Sequence, residues 1–331
     1  MAAAPPLGAA MKRLLPVLAL FGLLGGQSAD AAERYVLIVS GAAGEPQYAD
    51  RYDAWRKALV DACVNRMAIE PSHVDALFDG GDEAHAASAQ NVKRVLDSLR
   101  RKMHADDVAL VVLIGHGTFD GVEAKFNLVG PDLTSGQWAA LLKPLTGRLV
   151  LVDTSAASFP FLQELSGPRR IVITATDSGA QRFDTIFPEY FVHAFDDPSS
   201  DLDKNGRVSI WEAFLSASLG VRRHYEERGQ LATERALLDD DGDGRGREAG
   251  EEGTDGAEAS RLYLDPDVAD APATDEQLIM LLQKRAALQV DVQGLQQRRL
   301  LMTPDEYARE FERLMIELAR TTREIKSRQK T

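Results

Sequence analysis

Oxygen-bearing side chains recur at alternate positions between residues 201 and 212, a spacing typical of a calcium-binding loop. The residues that would coordinate the ion are Asp201, Asp203 and Asn205 through their side chains, Arg207 through its backbone carbonyl, Ser209 directly or through water, and Glu212 through its carboxylate. Gly206 stands where such a loop turns sharply. Because calcium takes roughly six to eight oxygen ligands, the sequence predicts calcium as a cofactor. The alternative is an acidic surface turn that caps the helix beginning at Ile210.

A second acidic stretch, 239–250, begins with the same alternation of aspartates and a glycine. It departs from the calcium pattern because Arg247 stands at the ninth position and Gly250 at the twelfth, where a carboxylate should close the loop. Glu251 and Glu252 follow at once and offer a substitute carboxylate. We interpret this stretch as an acidic linker, with a second metal site as the alternative.

His116 stands between two glycines directly after an apolar run at 108–114. A glycine on each side lets the backbone turn sharply and leaves the imidazole accessible, which favours a catalytic role over a purely structural one. Thr154 and Ser155 follow the next apolar run, 148–152. A histidine beside a hydroxyl is a pairing that nucleophilic catalysis can use.

Apolar runs that alternate with helical patterns predict the scaffold for these side chains. Consecutive apolar residues predict buried strands at 35–40, 74–78, 108–114, 148–152 and 170–175. Because these runs are continuous and separated by helices, they favour an α/β fold, a three-layer sandwich with a mostly parallel sheet. Ligands of such sheets bind beyond the carboxyl ends of the strands, where His116, Thr154 and Ser155 are expected.

The order of these motifs resembles that of the legumain- and caspase-like cysteine peptidases, which share the caspase-hemoglobinase fold. The resemblance runs from about residue 35 to 238 and rests on Ser40-Gly41, Tyr48 and the segments 114–117, 150–158 and 173–179. In that family a histidine after one strand and a cysteine after the next form the catalytic dyad, so the resemblance implies His116 as the histidine. The cysteine position falls on Thr154, Ser155 or Ala156, none of which carries a thiol.

The absence of a cysteine at residues 154–156 determines which function we predict. The single cysteine, Cys63, falls on the apolar stripe of an early helix and is predicted to be an inert core thiol. A hydroxyl is much less acidic than a thiol and needs a general base in hydrogen-bond contact. We therefore predict a catalytically degenerate, peptidase-like binding or scaffold module with an unknown protein or peptide partner. The alternative is an active hydrolase or peptidase that uses Ser155 or Thr154 with His116.

The composition excludes several other classes of protein. Lys and Arg total 38 against 51 Asp and Glu, a net charge of −13 over 331 residues. A nucleic-acid binder would present a basic face, so no nucleic-acid partner is expected. One cysteine excludes an intrachain disulfide and a zinc site that needs two thiolates.

The N-terminus has the features of an export signal. Lys12 and Arg13 precede an apolar run at 14–24, and small residues at 29–31 form a cleavage pattern. This predicts a signal peptide at 1–31, with translation starting at Met1 or Met11. We expect an exported protein, periplasmic or secreted, with no integral membrane span after cleavage.

The rest of the chain divides into three predicted regions. They are a caspase- or legumain-like α/β domain at 33–238, which includes the loop at 201–212, an acidic linker at 239–273, and a helical hairpin or coiled coil at 274–331. Thr303 and Pro304 predict the start of the second helix of the hairpin. The apolar stripes of the two helices favour a seam within the chain. Docking or oligomerisation through the hairpin is the alternative.

Overall fold

The computed structural model describes residues 1, 32–179, 181, 183–203, 205–251, 253–265, 276–297, 299 and 302–328. Apart from Met1, the predicted signal peptide lies outside the described residues. In chain order the elements are β1 (Arg34–Ser40), α1 (Pro46–Asp61), β2 (Val74–Phe78), α2 (Ala89–Lys102), β3 (Val108–Ile114), β4 (Gly117–Phe119), β5 (Ala124–Phe126), β6 (Leu133–Thr134), α3 (Ser135–Leu142), β7 (Arg148–Asp153), α4 (Phe159–Leu165), β8 (Arg170–Thr174), α5 (Phe187–Ala194), α6 (Ile210–Glu227), β9 (Leu237–Asp239), α7 (Glu276–Gln297) and α8 (Pro304–Arg328).

The main sheet has six strands in the order β2-β1-β3-β7-β8-β9, and all pairs are parallel except β8 with β9. This confirms the predicted α/β class with a mostly parallel sheet. All seven residues of β3 are buried, as expected for the central strand of a sheet covered on both faces.

Alternate residues of each strand point to two separate cores. Val36 and Ile38 of β1 pack with residues of α1, α5 and α6 on one face. Leu37 and Val39 pack with residues of α2, α3 and α4 on the other. Cys63 lies buried in a π-helical turn directly after α1, and burial raises the pKa of its thiol to about 12. The thiol is therefore inert and belongs to the core, as predicted.

A small second sheet follows the third strand. Its antiparallel strands are ordered β4-β5-β6, and β4 begins one residue after His116. This small sheet was not predicted from the sequence. His116 therefore lies between β3 of the main sheet, which ends at Ile114, and β4 of the small sheet, which begins at Gly117.

The structure differs from the prediction of a solvated acidic linker from residue 239. Asp239 is the last residue of β9, where Val172 is its partner in β8, and it is 1% exposed. Asp240 is also buried, and its carboxylate accepts hydrogen bonds from the backbone N–H groups of Gly256 and Ala259. Carboxylates paired with backbone donors can be buried, so a stretch rich in aspartate folds onto the sheet.

Helices α7 and α8 pack on each other along a seam that includes Leu288, Leu295 and Leu314. Thr303 caps α8, because its hydroxyl accepts from the Glu306 N–H and the Glu306 carboxylate accepts from the Thr303 N–H.

Within the described residues, we find no helix with the length and apolar character needed to cross a membrane.

Candidate functional site

His116 occupies the carboxyl edge of the main sheet, between β3 and β4. The glycine after it, Gly117, is required by close packing: a Cβ added there would lie 2.5 Å from Ser155 Oγ and 3.1 Å from Ala157 Cβ. The backbone after β3 therefore lies directly against the backbone after β7. The structure brings His116 and Ser155 to neighbouring strand ends, where the sequence placed them.

The His116 ring is held by groups from α1 and from the segment before α5. The Tyr52 hydroxyl lies 3.3 Å from both ring nitrogens, and it donates a hydrogen bond of 3.0 Å to Asp184 Oδ1. The same Asp184 oxygen lies 3.8 Å from His116 Nδ1. The Tyr48 ring packs edge-on against the imidazole, with ring centroids 4.6 Å apart. Arg51 closes the cluster with an ion pair of 2.9 Å to Asp184.

The electrostatics of this cluster favour a neutral tyrosine. Burial and the Asp184 carboxylate both raise the pKa of Tyr52 far above its ordinary value. Tyr52 therefore remains a hydrogen-bond donor to Asp184. Arg51 supplies the positive charge that balances Asp184. The imidazole of His116 is 29% exposed, so it can still contact a ligand at the strand ends.

The hydroxyls predicted as alternatives to the missing thiol have different surroundings. Thr154 Oγ1 donates a hydrogen bond of 2.8 Å to the Leu113 carbonyl, so this hydroxyl is engaged by the backbone of β3. Ser155 Oγ is buried, and the Asp153 carboxyl is its polar side-chain neighbour. The third position, Ala156, has no polar side-chain atom.

Asp153 lies beneath Ser155 and is itself completely buried. Its Oδ1 accepts a hydrogen bond of 2.9 Å from the Ser155 N–H, and the Ser155 hydroxyl interacts with the same carboxyl. Burial raises the pKa of this carboxyl to about 7. A carboxyl that is partly protonated near neutral pH, and that does not contact the imidazole, is not the orienting group that a serine nucleophile requires.

Three residues of the cluster, Arg51, Tyr52 and Asp184, were not predicted from the sequence. Tyr52 stands four positions after Tyr48 on α1, a spacing that places both rings on one face of the helix. That spacing could have identified it. Asp184 lies in the irregular segment between β8 and α5, 132 residues from Tyr52, and no local pattern marks it.

The predicted calcium loop brings its carboxylates together. One oxygen from each of Asp201, Asp203 and Glu212 lies within 4.8 Å of the others. Burial and the neighbouring Glu212 carboxylate raise the pKa of Asp203 to about 7. Gathered carboxylates of this kind repel one another, and a hard cation would relieve that repulsion. The donor set therefore fits calcium.

The other predicted ligands of the loop are placed as follows. Asn205 Oδ1 accepts from the Arg207 N–H at 2.8 Å, and the Asn205 amide donates to Asp203 and to the Tyr263 hydroxyl. Ser209 caps α6 and donates its hydroxyl to Glu212 Oε2 at 2.9 Å. Glu212 is thus both the last residue of the loop and part of a capping box, so the cap and the ion would share this carboxylate.

The second acidic stretch has a related arrangement. Asp239, Asp241 and Asp255 place one oxygen each within 4.8 Å of the others. Asp255 Oδ1 accepts from the N–H groups of Asp240 and Asp241, in the way that Glu212 Oε1 accepts from those of Leu202 and Asp203 in the first loop. The carboxylate that closes this cluster therefore lies beyond Glu251 and Glu252, the two residues that the sequence suggested.

Comparisons with known proteins give distant similarities of structure. No protein-family model matches the chain, and no curated protein matches it. Protein GSU0716 from Geobacter sulfurreducens is similar over 63% of this chain and 93% of its own, at 12% identity and a TM-score of 0.43. The Drosophila initiator caspase Dronc is similar over 72% of this chain and 94% of its own, at 12% identity and a TM-score of 0.40. Similarities this distant do not bear on the function.

Proposed function

We propose that this chain is an exported, calcium-binding, peptidase-like protein whose α/β domain binds a protein or peptide at the strand ends without cleaving it. The observation that carries the proposal is the state of the two hydroxyls. Ser155 Oγ is buried and lies against the Asp153 carboxyl, and Thr154 Oγ1 donates to a backbone carbonyl. Neither hydroxyl contacts His116.

A serine or threonine attacks a carbonyl only when a base accepts its proton as the new bond forms. His116 is the imidazole that follows β3, and its ring contacts Tyr52, Asp184 and Tyr48. A buried hydroxyl that does not contact the imidazole cannot pass its proton to it, and its burial keeps it from a peptide bond. The arrangement supports recognition of a ligand, with His116 and the half-buried Tyr48 ring as the accessible contact groups.

The alternative is a hydrolase that uses Ser155, and the approach of Gly117 to Ser155 Oγ is the observation that favours it. A fluorophosphonate probe distinguishes the two. We expect no covalent labelling of the wild-type protein above the level of the Ser155→Ala and His116→Ala variants. Labelling of wild type that is lost in both variants would overturn the binding-module proposal.

Calcium binding and export complete the proposal. The carboxylates of Asp201, Asp203 and Glu212 support the calcium site, because they are the oxygen ligands that this ion prefers.

Export rests on the sequence of residues 1–31, and N-terminal sequencing of secreted or periplasmic material tests it. Cleavage near residue 31 is the expected result, and a mature protein beginning at Met1 or Met11 would contradict it.

A further inference from the structure

A short segment of the chain, residues 262–265, runs beside the predicted calcium loop, and we refer to it as the strap. Tyr263 of the strap forms an antiparallel bridge with Ser209, the ninth residue of the loop. The backbone N–H of Ile210 donates a hydrogen bond of 3.0 Å to the Leu262 carbonyl. Backbone pairing therefore fixes the strap against the last part of the loop.

The side chains of the strap point to two different sides. Leu262 and Leu264 are buried in the core that also contains residues of α6. Because successive side chains of an extended segment alternate, Tyr263 is directed away from this core. Its hydroxyl accepts a hydrogen bond of 2.8 Å from the side-chain amide of Asn205, 58 residues earlier in the chain. The strap therefore contacts the side chain that the calcium pattern places at the fifth position of the loop.

The Tyr263 hydroxyl lies close to the carboxylates of the loop. Burial and the charges of Asp203 and Glu212 raise the pKa of Tyr263 above its ordinary value. The phenol is therefore neutral, and its oxygen is free to accept the hydrogen of the Asn205 amide.

The Asn205 amide is held in one orientation by partners on both of its ends. Its oxygen, Oδ1, accepts a hydrogen bond of 2.8 Å from the Arg207 N–H, and its nitrogen donates to Tyr263 and to Asp203 Oδ2, each at 2.8 Å. A carboxamide binds calcium only through its oxygen, so a reversed amide would present N–H groups to the ion. Oδ1 retains a second lone pair for this purpose. The Tyr263 hydroxyl thus favours the orientation that calcium binding requires.

The strap also holds Arg207, whose backbone carbonyl is a predicted ligand. The Arg207 side chain is 8% exposed, and its Nε donates a hydrogen bond of 2.7 Å to Asp265 Oδ2. Its guanidinium lies over the Tyr263 ring, 4.2 Å from the ring centroid. Asp265 balances the positive charge of Arg207, which would otherwise oppose a cation in the loop. Two residues of the strap therefore act on two of the predicted ligand residues.

We propose that Tyr263 is a positioning residue of the calcium site: its hydroxyl holds the Asn205 amide with the oxygen towards the ion, so that calcium binding and docking of the strap stabilise each other. This inference rests on the proposed function, because it concerns the calcium site of that proposal, and it extends the site beyond residues 201–212. Partners that orient the ligands are a general requirement of metal sites. By linkage, a contact that strengthens calcium binding is itself strengthened by calcium.

Isothermal titration with calcium chloride at constant ionic strength tests the proposal. The binding step that belongs to the loop is the one that Glu212→Gln removes. Tyr263→Phe deletes only the hydroxyl and should raise the calcium dissociation constant of that step about tenfold. Tyr307→Phe makes the same change in the seam of the hairpin and should leave the dissociation constant unchanged. Circular dichroism in EDTA establishes that each variant is folded.

A double-mutant cycle shows whether Tyr263 acts through the amide. In an Asn205→Ala background, Tyr263→Phe should change the calcium dissociation constant less than about twofold, because the amide that the hydroxyl orients is gone. A tenfold loss in both backgrounds would mean that the hydroxyl supports the fold and does not orient Asn205.

Hydrogen exchange measures the reciprocal effect on the strap. Calcium should slow the exchange of backbone amides in a peptide spanning residues 256–265 by about fivefold, because the ion stabilises the docked segment. Glu212→Gln should abolish this protection. A purely structural tyrosine would give the same exchange with calcium and with EDTA.

Three results would overturn the inference alone: a dissociation constant of Tyr263→Phe equal to that of wild type, an equal loss in the Asn205→Ala background, or strap exchange that calcium does not change. Each of them leaves a loop that binds calcium. A titration of wild type that shows no binding step sensitive to Glu212→Gln would instead overturn the calcium site of the proposed function, and this inference with it.

Discussion

At the scale of single residues, the proposed function depends on the surroundings of the Ser155 hydroxyl, which does not contact the His116 imidazole. The Ser155 hydroxyl lies between Gly117 and Asp153, close to the strand end that carries His116. The His116 imidazole, however, contacts Tyr52 and Asp184. The resemblance to cysteine peptidases implied a dyad at this place. A thiolate needs no tight contact with a base, whereas a hydroxyl does, and the proposal that the ligand is not cleaved rests on this difference.

The contact between Gly117 and Ser155 can be tested by a double-mutant cycle. Gly117→Ala should lower the free energy of unfolding by about 1–3 kcal/mol, because the new methyl group collides with Ser155 Oγ and Cβ. Ser155→Gly should recover part of that loss, which urea unfolding would detect as a coupling energy. Gly136→Ala on α3, where the nearest atom is 3.9 Å away, is the control and should be neutral or slightly stabilising. Additive effects of the two changes would show that residues 117 and 155 are not in contact.

The buried Asp153 carboxyl predicts a pH dependence of stability. Folding raises its pKa from 3.8 to about 7, so its contribution to stability is complete below about pH 4 and is lost as pH rises through 7. Asp153→Asn keeps the acceptor for the Ser155 N–H without a carboxyl that ionises. Relative to wild type, it should gain about 3 kcal/mol of stability between pH 5 and pH 8. Urea unfolding at both pH values measures this gain, with Asp50→Asn at an exposed position of α1 as the control. An equal effect of Asp153→Asn at both pH values would contradict the burial of a titrating carboxyl.

At the scale of elements, continuous apolar runs were sufficient to predict the parallel strands and the edge at which they end. As a strand, a run such as 108–114 is fully buried only when both faces of its sheet are covered, so the pattern predicts a central position for β3. The strand ends then place His116 and Ser155 together. Tyr52 and Asp184 could not be predicted in the same way, because their contact joins a helix to a loop 132 residues away.

The structure of the acidic segment after β9 could not be predicted from its amino-acid composition. Its aspartates are paired with backbone N–H groups 14–19 residues distant, and no local pattern reveals such pairs. Asp240→Ala should therefore destabilise the protein by about 1–3 kcal/mol, because two buried N–H groups lose their acceptor. Asp50→Ala, an exposed aspartate of α1, provides the control in urea unfolding. A loss below about 0.5 kcal/mol for Asp240→Ala would show that the segment is the solvated linker that its composition suggested.

At the scale of the whole molecule, calcium would couple the loop to the stability of the fold. The loop leads into α6, whose Ile210, Phe214 and Ala217 belong to one of the two main cores. An ion held by Asp201, Asp203 and Glu212 would bind the folded chain alone, and such a ligand stabilises by mass action. The net charge of −13 adds a general attraction for cations that a specific test must separate from binding at the loop.

Thermal unfolding in EDTA and in millimolar calcium tests this coupling. Calcium at about ten to a hundred times its dissociation constant should add about 1–3 kcal/mol, or roughly 3–8 °C in Tm. Magnesium at the same concentration controls for general screening. Glu212→Gln should remove the calcium-dependent shift, and Glu227→Gln on the exposed side of α6 should keep it. A Tm that is identical in EDTA and calcium, or a shift that survives Glu212→Gln, would contradict the calcium site.

We propose that the strand-end site recognises a polypeptide and leaves it intact. The most direct measurement is incubation of the calcium-loaded protein with a proteome-derived peptide mixture, followed by mass spectrometry of the new peptide termini. We predict no cleavage products above those seen with the Ser155→Ala and His116→Ala variants. Products that form with wild type and are absent with both variants would contradict the claim and identify the protein as an active peptidase.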